Sequence, residues 1–426
     1  MRILEINKFY NAKRGADKQF LDVIDLLEKD GHQVAAFSMW QTDNKPSIWS
    51  KYFLSSVGYG DAFSFWQKIG GVFRMFYSLE AKRKINAIMD DFKPEIVHIH
   101  NIYHQMSPAI LFEIKKRNIP IVMTVHDFKI INPNHSLRLN GKAYERCANK
   151  KYYQCFLDKA IKNSYAKSFL ASAEMYWHGW LGTYEKNIDL YIAPSQFTKS
   201  ILIKWGIEEG KIFVLPHFIS TSNNEDEKQN IYFATEKFAI YPGKISKEKG
   251  VDLLCDVFKD IKGMKLYLAG EIEEGFEIPT NANIRHLGFL NAAQLRRYLE
   301  SAKCVVSGSQ LPETFGLIAL EALSNGKPFI GFNVGAYGEI IENSVDGAIV
   351  ENQTEFISAI EEIAQDKKIF NQNDIKSHAE KYSETQYLKK MMNILTAQTD
   401  KEKYQQILKD PSGVDTSVEI CYDIKS

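Results

Sequence analysis

The chain has 426 residues, more than one hydrophobic core usually organises, so two domains are expected. Apolar residues make up 45% and charged residues 25%, the balance of a soluble globular protein, and no uncharged apolar run approaches the length that spans a bilayer. Lys+Arg and Asp+Glu are equal at 53 each, which argues against a protein that coats nucleic acid.

That zero net charge conceals an asymmetry. Through His217 the chain carries 30 Lys+Arg against 21 Asp+Glu, and from Phe218 onward 23 against 32. A basic first half suits an anionic surface or acceptor. The five cysteines (Cys147, Cys155, Cys255, Cys304, Cys421) are odd in number, scattered and without a C-x-x-C. Met1-Arg2-Ile3-Leu4-Glu5 reads as a strand rather than a secretory leader, so free thiols in a reducing cytoplasm are the expectation.

Short apolar runs alternate with helical patterns through the first half, which predicts a parallel sheet with crossover helices. Predicted strands are Ile3 to Asn7, Val34 to Met39, Ile96 to His100, Ile121 to Val125, Leu190 to Pro194 and Phe213 to Pro216. Between the first two, Gly15-Ala16-Asp17 opens a helix with Phe20, Val23, Ile24 and Leu27 on one face. Residues 47–80 interrupt the rhythm with ten aromatics interleaved with Lys51, Lys68 and Arg74. They suit either a helical insertion packed on the sheet or an amphipathic element touching lipid. Residues 133–188 form a second basic, aromatic insertion. A polar run at Ser220 to Glu227 marks the domain boundary, giving domains over 1–217 and 218–395 and a polar tail over 396–426. The second half repeats the alternation, with strands at Phe238 to Tyr241, Leu266 to Ala269, Val305-Val306 and Phe329 to Phe332, and a closing helical region from Asp374 to Ala397.

The chemistry concentrates after two of these strands, where open parallel sheets bind ligands. Tyr241-Pro242-Gly243-Lys244-Ile245-Ser246-Lys247-Glu248-Lys249-Gly250 places three lysines on a glycine-flanked turn, suitable point charges for a phosphate. Ser309 to Gly326, S-Q-L-P-E-T-F-G-L-I-A-L-E-A-L-S-N-G, predicts a helix over 313–324 whose unpaired first amides could receive an anion. Glu313 and Glu321 would then lie roughly 12 Å apart along its axis, too far to share a proton and suited to opposite ends of an elongated ligand. A capped amphipathic helix with a surface Glu at each end fits the spacing equally well. No D-x-D occurs to hold a divalent metal on a diphosphate, and no G-x-G-x-x-G announces a dinucleotide site.

Taken together, G-K-x-S-x-E-K-G (243–250), Leu268-Ala269-Gly270, the E-x7-E of P-E-T-F-G-L-I-A-L-E-A-L and the following G-K-P resemble glycosyltransferase family 4. Arg14-Gly15-Ala16-Asp17, Val97-His98-Ile99-His100-Asn101 and T-V-H-D (124–127) extend the likeness over roughly residues 1–395. The resemblance implies an α/β fold of the GT-B type, two doubly wound Rossmann-like domains facing across a cleft. It implies a retaining transferase that moves a sugar from a nucleotide-diphosphate sugar to a hydroxyl of a glycan or lipid-linked acceptor, without metal or further cofactor. Lys244 and Lys249 would pair with the donor phosphates, Lys244 standing where the family usually has Arg. Glu313 would hold the transferred sugar with the amides of Thr314, Phe315, Gly316 and Leu317 nearby, and Glu321 would hold the ribose. Gly15 would approach the phosphate from the first domain, although the usual G-G-A-E is R-G-A-D here. His126 would reach the donor sugar, with His126, Lys249 and Glu313 the catalytic set, and His100 and Asp127 would lie on the acceptor side. Cys147 and Cys155 resemble a branch with more cysteines, Tyr144 and Ala160 standing where two of them would be, and no metal role is expected there. A cytoplasmic enzyme at the inner face of the membrane is the implied setting. A sugar-nucleotide epimerase, a phosphorylase or a non-catalytic scaffold could share the two-domain shape.

Overall fold

The computed structural model describes residues 1–56, 65–104, 106–220 and 236–399. In the first lobe, β1 (Arg2–Ile6), β2 (Gln33–Phe37), β3 (Ile96–Ile99) and β4 (Ile121–Thr124) precede a small hairpin of β5 (Arg138–Leu139) and β6 (Lys142–Ala143), and β7 (Leu190–Ala193) and β8 (Ile212–Val214) follow it. The six long strands form one parallel sheet in the order β2-β1-β3-β4-β7-β8. In the second lobe, β9 (Phe238–Pro242), β10 (Lys265–Ala269), β11 (Ile284–Gly288), β12 (Cys304–Ser307), β13 (Phe329–Phe332) and β14 (Gly347–Val350) form another, in the order β11-β10-β9-β12-β13-β14. Helices cover both faces of each sheet, which is why the central strands read as unbroken apolar runs. β11 and β14, both unassigned in the sequence reading, are the edges of the second sheet. An edge strand need bury only part of its surface, and β11 exposes Arg285 and His286.

Three features depart from expectation. The helix expected over 313–324 spans only Leu317–Ser324. Gly316 before it adopts a left-handed conformation (φ +102°), and a Cβ there would meet the Tyr337 ring at 2.5 Å. Glu313 therefore sits in the preceding loop, where its carbonyl accepts from the Ala336 amide at 3.1 Å. The last helix, Glu384–Thr399, leaves the second lobe: Tyr387, Met391, Ile394 and Leu395 join Ile3, Phe20 and Leu27 in the first lobe's core. The division at 218–395 thus assigns to the second lobe a helix that packs on the first. Finally, the aromatic insertion at 47–80 divides in two. Tyr52, Phe53 and Leu54 are buried, whereas Phe73 and Tyr77 are exposed, and residues 57–64 lie outside the described residues.

Within the second insertion, Tyr144, Cys147, Tyr152, Cys155, Ala160 and Met175 make a small core of their own. Cys147, Cys155, Cys255 and Cys304 are free and buried, and Cys421 lies outside the described residues. Among the described residues no helix is long and apolar enough to cross a membrane.

Candidate active site

Two glycines bring the second lobe's chemistry together. Gly250 ends the lysine turn after β9 and Gly308 follows β12; a Cβ on Gly250 would lie 1.9 Å from the Gly308 carbonyl oxygen, and one on Gly308 would lie 2.2 Å from that of Gly250. This backbone-on-backbone approach sets Lys249 against the loop after β12. Its Nζ lies 2.6 Å from Glu313 Oε1, which also accepts from Ser309 Oγ at 3.3 Å. Both charged side chains remain partly exposed, at 35% and 21%. An ammonium has three donors, so Lys249 can keep Glu313 and still offer N–H groups to a phosphate. Lys244 sits elsewhere: it is exposed and ion-paired with Glu273. A phosphate would have to draw it from that partner.

The Leu317–Ser324 helix points its start at the first lobe. Gly15, the first residue of the helix Gly15–Lys29, lies so close that a Cβ would meet Leu317 Cδ1 at 2.9 Å. One turn on, Lys18 Nζ reaches Glu321 Oε1 at 3.6 Å. The amides of Leu317 and Ile318 find no backbone acceptor among the described residues. Asp17 is buried beneath this junction and accepts from Asn7 Nδ2 at 2.8 Å; burial raises its carboxyl to about 6.

Thr314 and Glu339 both hydrogen-bond directly across to the first lobe. The Thr314 carbonyl accepts from Ser195 Oγ at 2.6 Å and Thr198 Oγ1 at 2.8 Å, and its own hydroxyl donates to the His126 carbonyl at 3.0 Å. The Glu339 carboxylate accepts from the Gln196 and Phe197 amides at 2.8 and 2.6 Å, capping the positive end of the helix Gln196–Lys204. Phe315 is buried, its ring edge-on to His217 at 5.2 Å.

His126 follows β4 at this junction and is half-buried. Its ring lies between those of His100 and His217, with centroids 5.0 and 5.1 Å away. Desolvation first, then the neighbouring imidazoles, hold His126 and His100 well below the usual imidazole range, and burial takes His217 to about 3. His100 itself is wholly buried between Glu5 and His126, so the direct acceptor contact expected of it is not open to it. Asp127 is half-buried and accepts the Lys129 amide at 2.9 Å in an Asx turn.

Of the residues named from sequence, Lys249, Glu313, Thr314, Gly316, Leu317, Gly15 and His126 converge on one interlobe junction, and Glu321 joins through Lys18. Lys244 stands apart from it, and His100 is buried behind it, hydrogen-bonded to His126. Ser195, Thr198, Glu339 and Lys18 were missed because each looks like an ordinary helix-start or surface residue. Glu5 did leave a signal, a carboxylate inside an apolar strand, and its side chain is fully buried. Glu5, His98 and His100 bring three ligand-capable atoms within 4.8 Å of one another, each already engaged in a hydrogen bond.

Two family models divide the chain between them: Glycosyltransferase Family 4 over residues 14–223 and Glycosyl transferases group 1 over residues 222–386. An uncharacterized 42.6 kDa protein in the cps region of Klebsiella pneumoniae is 23% identical over 302 residues, covering 69% of this chain and 73% of that one. The lipopolysaccharide 1,2-N-acetylglucosaminetransferase of Salmonella typhimurium is 24% identical over 182 residues, 37% of this chain and 47% of its own. Among solved structures, Anabaena Alr3699/HepE in complex with UDP and glucose superposes with a TM-score of 0.63 at 15% identity, over 93% of this chain and all of that one.

Proposed function

The chain belongs to glycosyltransferase family 4 and has the GT-B fold, and from that premise we propose that it is a retaining, metal-independent transferase acting on a glycan or lipid-linked acceptor. The observation that carries the reading is the meeting of Lys249 and Glu313 at 2.6 Å beside the start of the Leu317–Ser324 helix, with Gly15 opposite. Cleaving a sugar–phosphate bond builds negative charge on the leaving diphosphate. In this reading the Lys249 ammonium and the helix-start amides stabilise that charge, since preorganised donors in a closed cleft are worth more than in water. Glu313 holds the transferred sugar's hydroxyls, Glu321 the ribose, and His126 reaches the sugar from the first lobe. The contacts of Thr314 and Glu339 form when the lobes close, so closure is part of each turnover.

A thermal-shift panel of UDP, GDP and ADP tests the site, because a ligand at 100 times its Kd raises apparent stability by about 2.7 kcal/mol. One base is expected to stand out, and the binding should persist in EDTA. The matching sugar nucleotide, incubated without acceptor, should give only slow hydrolysis; conversion of the sugar would mean an epimerase. Transfer to an acceptor with an inverted anomeric centre would refute the retaining assignment.

We also place the acceptor at a membrane surface. The helix Tyr165–Leu181 buries Ser168, Ala171, Ser172, Glu174, Met175 and His178, yet leaves Tyr165, Phe169, Tyr176, Trp177 and Trp180 exposed. Phe73, Tyr77 and Leu79 are exposed nearby, Phe76 meets Trp177 at 6.1 Å, and Lys151, Lys162 and Lys167 are exposed on the same insertion. Tryptophan, tyrosine and lysine together suit an anionic bilayer interface. Sedimentation with phosphatidylglycerol vesicles should capture the protein, and a Trp177→Ser/Trp180→Ser variant should bind about tenfold more weakly. Equal capture of the variant would remove this surface from the account.

A further inference from the structure

Behind His126 runs a chain of buried hydrogen bonds that the transfer chemistry above leaves unused. Glu5 and His98 are register partners on β1 and β3, and both side chains are wholly buried. The two oxygens of Glu5 serve different imidazoles: Oε1 lies 2.9 Å from His98 Nδ1, and Oε2 lies 3.1 Å from His100 Nε2. His100 Nδ1 is in turn 2.7 Å from His126 Nε2. Those two rings are tilted by only 16° with centroids 5.0 Å apart, the arrangement of an in-plane N–H···N bond. At the far end, His98 Nε2 meets Thr124 Oγ1 at 2.8 Å. Phe20 packs edge-on to His100 at 5.2 Å, closing the chain from above.

The direction of these bonds follows from what each group can do. Burial keeps His100 and His126 neutral, so each ring has one N–H and one lone pair. An ionised carboxylate only accepts, so His100 gives its Nε2–H to Glu5 and keeps a lone pair on Nδ1. That lone pair is satisfied only if His126 donates from Nε2. His126 Nδ1 is then an acceptor: the ring's hydrogen bond among the described residues is made through Nε2, to His100.

We propose that Glu5, acting through His100, is a positioning residue that fixes His126 in its Nε2–H tautomer and leaves Nδ1 to accept a hydrogen bond from a hydroxyl of the transferred sugar, a role that rests on the donor-side reading of His126 given above. Such a nitrogen selects for a hydroxyl. A donor sugar with fluorine or hydrogen at that carbon leaves the lone pair unmatched, whereas an N–H at the same place would tolerate fluorine. Buried sites built for one polar group discriminate strongly against its absence.

Long-range ¹⁵N correlation spectra of the full chain labelled at histidine test this without any activity measurement. With His126 assigned by comparison with His126→Gln, a protonated Nε2 and an unprotonated Nδ1 are expected. A protonated Nδ1 in the wild-type protein would overturn the proposal. Glu5→Gln offers an amide donor where the carboxylate only accepts, which allows the chain to reverse. It should abolish the single tautomer and lower kcat by about 10- to 100-fold, with nucleoside diphosphate affinity within about twofold of wild type. Unchanged turnover with a changed tautomer would also overturn it. Should Glu5→Gln not fold, the wild-type spectrum still decides. Wild-type turnover in His126→Ala would refute the donor-side placement of His126 and the role built on it, while leaving the tautomer measurement intact.

Discussion

Lys249→Ala is expected to lower turnover by about 10²- to 10³-fold, the loss seen when one preorganised donor to a developing anion is removed. The ammonium lies 2.6 Å from Glu313, so its truncation removes the fixed charge and also releases the carboxylate assigned to the sugar. Folding should hardly change, because a pair this exposed contributes at most about 1 kcal/mol. Steady-state rates with the nucleotide sugar selected by the binding panel, beside melting curves of both proteins, separate the two effects. Retained turnover at normal stability would mean that Lys249 does not serve the diphosphate. The same substitution at Lys244 should do less, since that side chain is already paired with Glu273 outside the junction.

Gly250→Ala should be among the most damaging single-methyl changes in the second lobe. Gly250 has φ +69°, a region that costs an L-residue about 1–2 kcal/mol. Its new Cβ would also fall 1.9 Å from the Gly308 carbonyl oxygen, a backbone atom that no rotamer change can move aside. Relief requires the β9 turn to lift away from the end of β12, which carries Lys249 off Glu313. A destabilisation of about 3 kcal/mol or more is expected, lowering the melting temperature by on the order of 10 °C. Gly263→Ala is the control, because Gly263 shares the left-handed backbone at φ +80° yet has nothing within 4 Å of the added carbon. Equal losses in the two variants would assign the whole effect to backbone conformation and none to the close approach.

Much of this molecule was legible in one dimension, because parallel strands covered on both faces must be continuously apolar. All ten strands read as such runs are present, and the two long strands that went unread are sheet edges, where that requirement lapses. Lys249, Glu313 and Gly15 could be named because loop positions after strands, short motifs and a family likeness survive in sequence. Three other facts have no sequence signature. The left-handed backbone at Gly316 keeps the helix from reaching Glu313, and Tyr337 occupies the space a side chain there would need. The Glu384–Thr399 helix crosses to the first lobe because that core, not the nearer one, buries Tyr387, Met391, Ile394 and Leu395. The link from Glu5 through His100 to His126 joins residues 95 and 26 positions apart, and exists only because β1, β3 and β4 lie side by side in register. Periodicity and local motifs determined which segments form strands and which loops carry charge. Which side chains meet was decided by sheet order and the closing of two lobes, because hydrogen bonds and packing act over a few ångströms of space whatever their separation along the chain.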